Sequence, residues 1–212
     1  MGARFLDHEA RAAFKQSIEA IETASGVEIV IAMRRKSAGY LHANLIVGIV
    51  ATFVGLGAML YSAHPFGLVA ILVDPFVVGA LAAAAVHVLP GVKRMLTPPS
   101  VRRRYVTLAA HATFVERGVH NTLDRGGLLV YISWLEQQIA LVADSNLARS
   151  ITPEVIAAAE RELNAAMPRG GVAVAKALES WKSQFSVAVP RRAEDLNELP
   201  DDIHSDMEEH HP

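Results

Sequence analysis

The chain of 212 residues has no cysteine. That excludes a disulfide scaffold, a thiol nucleophile and a Cys-ligated zinc or iron–sulfur centre. It also lacks an excess of either charge. Lys and Arg total 20 against 22 Asp and Glu, so nothing suggests general nucleic-acid binding. The third absence is local: between Ser37 and Val92 the only Asp, Glu, Lys or Arg is Asp74. The mean hydropathy of +0.26 is therefore an average over two materials, an oily insert and a richly charged remainder. A simple soluble single domain is excluded by that distribution. Four motifs are absent as well: a Walker loop, Gly-x-Gly-x-x-Gly, an EF-hand loop and His-Glu-x-x-His.

The insert, 37–92, reads as a transmembrane helical hairpin. Ala43 to Tyr61 carries no charge, and about 20 apolar residues of helix cross a hydrocarbon core of about 30 Å. The first span is expected over about 43–62 and the second over 66–89, ending at Pro90-Gly91. Ser62, Ala63, His64, Pro65 and Gly67 supply the turn between them. Small residues stand four apart at Gly48 and Thr52, Ala51 and Gly55, and Gly79 and Ala83, a spacing that lets helices approach closely. Asp74 reads as the cap of a helix that starts at Pro75; the sharper alternative is a buried proton or ion site.

Basic residues flank the insert. Arg34, Arg35 and Lys36 precede it, and Lys93, Arg94, Arg102, Arg103 and Arg104 follow it, while the loop between the spans has no Lys or Arg. The positive-inside rule then puts both chain ends in the cytoplasm of a multi-pass protein of the cell (inner) membrane. An Arg cluster of this kind also suits nucleic acid. Its place just after a span selects the lipid bilayer and its anionic headgroups as partner, and no nucleic acid.

The remainder reads as one split α/β domain, 1–36 and 93–190. Asp7 to Ala24 has helical periodicity through Ala10, Phe14, Ile18 and Ile21. Val27 to Met33 is a strand rich in β-branched residues. After the insert, Pro98-Pro99-Ser100 opens a helix, with Ser100 as its N-cap, that runs to about Arg117. Leu128 to Ser133 and Gln138 to Ala143 form a β-hairpin. Thr152-Pro153 opens a further helix to Met167, and a last helix runs from Val172 to about Phe185. One lone N-terminal strand is not stable by itself. It must pair with the later hairpin, so the insert interrupts one domain. From Ala193 onward there are eight acids and no Lys or Arg; 191–212 reads as a solvated, disordered tail.

The polar part resembles the TPM domain, a family named after a thylakoid lumen protein, a photosystem II repair protein and an acetylcholine-receptor accessory protein. The resemblance rests on Ile21-Glu22-Thr23-Ala24-Ser25-Gly26-Val27-Glu28-Ile29-Val30 and on Ala110-His111-Ala112-Thr113-Phe114. It continues through Thr122, Arg125-Gly126-Gly127-Leu128-Leu129-Val130-Tyr131-Ile132-Ser133, Glu136 and Leu141-Val142-Ala143-Asp144. Asp195-Leu196-Asn197-Glu198-Leu199-Pro200-Asp201 looks like the tail of the membrane-inserted bacterial subgroup. The chain departs from the family at Ser145-Asn146-Leu147, where a basic residue, Gly and Ile are common. It also lacks a Trp within Val155 to Glu160. The resemblance implies an α/β sandwich. It further implies acid phosphatase activity as in some members, calcium binding as in others, or a partner role in membrane complexes with no known chemistry; a metal here would be calcium or magnesium, and no cofactor is fixed.

Phosphoryl transfer needs a nucleophile or activated water, and cations around the phosphate. Candidates are Asp124, Arg125, Ser133, Glu136 and Asp144. Glu136 and Asp144 lie at opposite ends of one strand, about 17–20 Å apart, and do not share a site. The candidate cluster is Asp124, Arg125 and Asp144, joined by Thr122 and Asn146, with Asp144 and Asp124 as the metal ligands. The structural alternative is that Arg125 pairs with an acid, Asp124 makes a turn and Asp144 caps the next segment. His111 and His120 lack ligand spacing, and Asp7-His8-Glu9 points three ways from one helix.

With no complete catalytic constellation, the leading expectation is a membrane-anchored interaction or accessory module, binding another membrane protein or a second copy. The alternatives are a metal-dependent phosphatase and an oligomeric ion or proton pathway resting on Asp74.

Overall fold

The computed structural model describes residues 5–122, 124–191 and 203–206. The chain divides into two compact units, one of residues 1–37 with 103–212 and one of residues 38–102.

The first unit is a mixed α/β domain. Its N-terminal helix α1 (His8–Ala24) starts where the Asp7 side chain accepts from the Ala10 amide at 2.9 Å, satisfying one of the helix's orphan donors. Strand β1 (Glu28–Arg34) runs parallel to β2 (Gly127–Ser133), paired residue for residue from Glu28↔Gly127 to Arg34↔Ser133. β2 continues through a turn into the antiparallel β3 (Gln138–Ala143). The sheet order is β3-β2-β1-β4, with β4 (His204–Ser205) parallel to β1 at Ala32 and Met33.

Helices cover both faces of the sheet. Ile29, Ile31, Met33, Leu128, Val130 and Ile132 point to one face and form the larger core with α1, α7 (Pro153–Ala166), α8 (Gly171–Glu179) and α9 (Lys182–Ala188). Val30, Ala32, Leu129 and Tyr131 point to the other face, against Val106 and Ala110 of α5 (Pro99–Glu116). A strand buried on both sides reads as a continuous apolar run, which is why β1 and β2 show no alternation. The free side of β3 is closed by α7: the Ile139 amide donates to Asn164 Oδ1 at 2.9 Å, and Asn164 Nδ2 donates to the Ile139 carbonyl at 2.8 Å.

The second unit contains α2 (Leu41–Leu60), α3 (Leu68–His87) and the short α4 (Pro90–Leu96). α2 and α3 have 20 residues each with hydropathies of 2.1 and 2.3, long and apolar enough to cross a membrane. They pack closely: a Cβ on Gly79 would lie 2.7 Å from the Gly48 carbonyl oxygen. Two glycines at that crossing let the backbones meet.

Five local expectations need correction. α3 starts at Leu68 and continues through Pro75, so Asp74 sits within the helix and caps nothing. An apolar run keeps its backbone bonds internal by remaining helical, and the proline costs it a single donor. Pro90 opens α4 because its missing N–H is harmless at a first helical position. α5 begins at Pro99, leaving Ser100 inside its first turn instead of at the N-cap. The last helix breaks into α8 and α9 around Ser180 and Trp181. Within the segment expected to be solvated throughout, His204 and Ser205 add an edge strand, and the rest of it lies outside the described residues.

Candidate functional site

The β2–β3 hairpin sets out the site candidates. Leu128 pairs with Ala143 and Ser133 with Gln138. Asp144 therefore leaves β3 beside the start of β2, where its amide donates to the Gly127 carbonyl at 2.8 Å. Glu136 lies in the turn at the far end.

At the Asp144 end, two segments are bonded together. The Arg125 carbonyl accepts from the amides of Asn146 at 3.3 Å and Leu147 at 3.4 Å. Asn146 Nδ2 donates to the Asp124 carbonyl at 2.9 Å. Arg125 holds a left-handed backbone, φ 53°, and its Nη1 donates to the His120 carbonyl at 2.7 Å. The Gly126-Gly127 pair that follows is required by crowding. A Cβ on Gly126 would lie 2.5 Å from the Gly26 oxygen, and one on Gly127 would collide with the Val119 oxygen. Part of the Arg125-Gly126-Gly127 motif is thus a packing requirement.

Asp144 is buried and caps α6 (Ser145–Ser150), its Oδ1 accepting from the Ser145 amide. The cap is one part of the structural alternative that the sequence leaves open; the pairing of Arg125 with an acid is not seen among the described residues, its Nη1 going to the His120 carbonyl. The other Asp144 oxygen, Oδ2, is buried with no hydrogen-bond partner, as is Thr122 Oγ1. Asp144 sits on one of the bonded segments just described, and Thr122 leads into the other, its carbonyl accepting from the Arg125 amide at 3.1 Å. A buried acceptor without a donor is costly. Against a metal, no group of three or more His, Cys, Asp or Glu suited to one occurs among the described residues. No ion pair links Arg125 to Asp144 among them either.

A second polar cluster fills the opposite end. Tyr131, Ser133 and Glu136 are all fully buried. Ser37 Oγ donates to Ser133 Oγ at 2.7 Å, and Ser133 Oγ in turn donates to Glu136 Oε2. With its one hydrogen so used, Ser37 Oγ accepts from the Tyr131 hydroxyl at 3.1 Å. Glu136 Oε1 accepts from the Ser37 amide at 3.0 Å. Burial raises the Tyr131 pKa above its usual value; the Ser37 bond pulls it down, while Glu136 pushes it further up. The cluster ties the hairpin turn to Ser37, the last residue before the second unit begins. Ser37 is half-buried and the other three are buried, so the cluster serves as a clamp at this end of the sheet. The sequence places Ser133 and Glu136 together at the hairpin turn, away from Asp144, and the structure brings them into one cluster. Ser37 and Tyr131 are the members that the sequence does not single out: Tyr131 lies inside the apolar run of β2, and Ser37 follows β1 by three residues.

The basic residues differ in availability. Arg35, Lys36 and Arg104 are exposed. Arg34 is half-buried, 3.9 Å from Glu116. Arg103 pairs with Glu160 at 3.2 Å. Arg94 and Arg102 are half-buried. Lys93 departs from the expected collar: it is buried, and its Nζ donates to the His87 carbonyl at 2.7 Å, capping the C-terminus of α3. Asp74 is exposed on α3.

No protein-family model matches the chain, and no curated protein does. Among solved structures it is similar in fold to the BA42 protein from the psychrophilic bacterium Bizionia argentinensis, determined by NMR. The TM-score is 0.57 and the identity 12%, over 95% of each chain.

Proposed function

We propose that the chain is an integral protein of the cell membrane whose cytoplasmic α/β domain, of the TPM type, is a membrane-anchored interaction or accessory module. The observation that carries this reading is the continuous β1–β2 pairing across the apolar insert. Strands from both sides of the insert belong to one sheet, so an inserted hairpin must cross the bilayer an even number of times. The outer surfaces of α2 and α3 are apolar and exposed, at Leu45, Ile49, Phe53 and Phe76 among others. Such surfaces suit lipid, and the basic flanks favour the cytoplasmic side.

The chain has no cysteine, so single sites can be introduced for labelling. In spheroplasts, Ser62→Cys is expected to react with an impermeant maleimide, and Ser183→Cys only after permeabilisation. Release of the protein by alkaline carbonate would end the membrane reading. The accessory role predicts that a second protein, or a second copy, co-purifies in mild detergent at native expression. A clean, partner-free monomer would remove it.

The unpartnered Oδ2 of Asp144 and Oγ1 of Thr122 favour a second reading, a calcium- or magnesium-dependent phosphatase. That reading predicts hydrolysis of p-nitrophenyl phosphate by the purified protein with either cation. Asp144→Asn keeps a capping oxygen and should abolish turnover; equal turnover by the variant excludes it.

A further inference from the structure

Helix α5 leaves one face without charge. Val106, Ala110 and Thr113 form its buried side, Val106 and Ala110 in the core against the sheet. Its outward side carries Thr107, Leu108, His111, Ala112 and Val115, all exposed, with Leu108 at 60% and Val115 at 63%. Tyr105 to Val115 contain no Asp, Glu, Lys or Arg. The other long helices of the same unit differ: the exposed residues of α1 include Glu9, Lys15 and Glu19, and those of α7 include Glu154, Arg161 and Glu162. A helix face that meets water is ordinarily charged or polar. Arg104, Leu108, His111 and Val115 also follow one another at spacings of four, three and four, the seam along which two helices pack. Charge returns at the two ends of this seam with opposite sign. Arg104 is exposed at one end, and the Glu116 side chain is 65% exposed at the other. The neighbouring arginines are turned elsewhere, Arg103 to Glu160 at 3.2 Å and Arg117 to His204 Nδ1 at 3.3 Å.

We propose that this face is the contact between two copies of the chain, packed α5 against α5 in antiparallel. A two-fold axis passing between Ala109 and Ala110 sets Leu108 of one copy opposite His111 of the other, and Arg104 opposite Val115 and beside Glu116. The order of charges selects this occupant. An inverted copy brings Glu116 to Arg104 twice by symmetry, whereas an anionic leaflet attracts Arg104 and repels Glu116. Antiparallel helices also set each dipole against its complement. The seam is short, about 16 Å along the helix, but copies held in one bilayer meet at a high effective concentration. The proposal rests on the accessory reading above and names its partner as a second copy.

The test uses the full chain in native membranes, where the absence of cysteine lets sites be introduced singly. Arg104→Cys and Val115→Cys lie about 16 Å apart within one copy and opposite each other between copies. A bis-maleimide shorter than that separation should link the double variant into a dimer and leave each single variant monomeric. Adding Leu108→Glu, which removes two apolar contacts from the seam by symmetry, should weaken the dimer on the order of a hundredfold. A dimer from either single variant, or none from the double variant, overturns the antiparallel contact. A fluorophore on Leu108→Cys that reports hydrocarbon in the unlinked chain gives the face to the bilayer and overturns it too. If a different protein co-purifies and no cross-link forms, the α5 contact fails and the accessory reading stands. A partner-free monomer removes both.

Discussion

Replacing Glu136 with alanine should be among the most damaging single changes outside the apolar core. Its carboxyl group is fully buried and accepts from the Ser37 amide at 3.0 Å and from the Ser133 hydroxyl. A hydrogen bond to a charged acceptor contributes about 1.5–3 kcal/mol, and each buried donor left behind carries its own desolvation penalty. Truncation also opens a cavity where the side chain lay. Two orphaned donors and a cavity together cost about 3–5 kcal/mol, a large share of the roughly 5–15 kcal/mol that holds a domain folded. Glu136→Gln separates polarity from size. Its amide oxygen still accepts from Ser37, and the Ser133 hydroxyl rotates to accept from the new NH₂, so the cost falls to about 1–2 kcal/mol. Urea unfolding in detergent, followed by the fluorescence of Trp134 and Trp181, reads both variants, with an unchanged m-value as the check on mechanism. The reasoning fails if alanine costs under about 1 kcal/mol, or if glutamine costs as much as alanine.

Three further outcomes follow from the same structure. Gly48→Cys with Ala83→Cys should form a disulfide on mild oxidation, because a Cβ on Gly48 lies 3.1 Å from Ala83 Cβ. Adding Gly79→Leu, whose Cβ would collide with Thr52 Oγ1, should abolish the cross-link on a non-reducing gel. Tyr131 carries a pKa raised above 10.0, so above that pH the unfolded chain loses a proton that the folded one retains. Stability should therefore fall as pH rises past 10 and be unaffected below it, and Tyr131→Phe should remove that slope in urea midpoints measured across the alkaline range. Asn164→Ala uncovers the Ile139 amide and carbonyl on the edge of β3. It should cost about 1–3 kcal/mol in urea and promote self-association by light scattering.

What the sequence could show depended on how local each cause was. The apolar insert was plain because hydropathy adds along the chain. The strands of β1 and of the β2–β3 hairpin were plain because strands buried on both faces must be apolar throughout. The partition of Glu136 from Asp144 followed from strand length alone, and the register places them at opposite ends of β3. Elements with a distant cause stayed hidden. β4 is two residues, His and Ser, with no strand signal of their own; they become a strand because β1 has a free edge within reach. Lys93 looked like one more collar charge until α4 turned it onto the end of α3.

The clamp shows why the split domain survives its interruption. A strand that runs straight into an apolar hairpin needs its exit fixed, or the hairpin's motion would fray β1 from its end. Pairing alone stops at Arg34↔Ser133. Two backbone bonds carry it further, from the Trp134 amide to the Arg34 carbonyl at 2.9 Å and from the Leu135 amide to the Arg35 carbonyl at 3.0 Å. Glu136 then takes the Ser37 amide, so consecutive residues of the turn hold the exiting chain as far as the boundary of the unit. The acidic strand adds its grip at Arg35 from the other side of β1. The exit is thus held between the clamp and a surface strand.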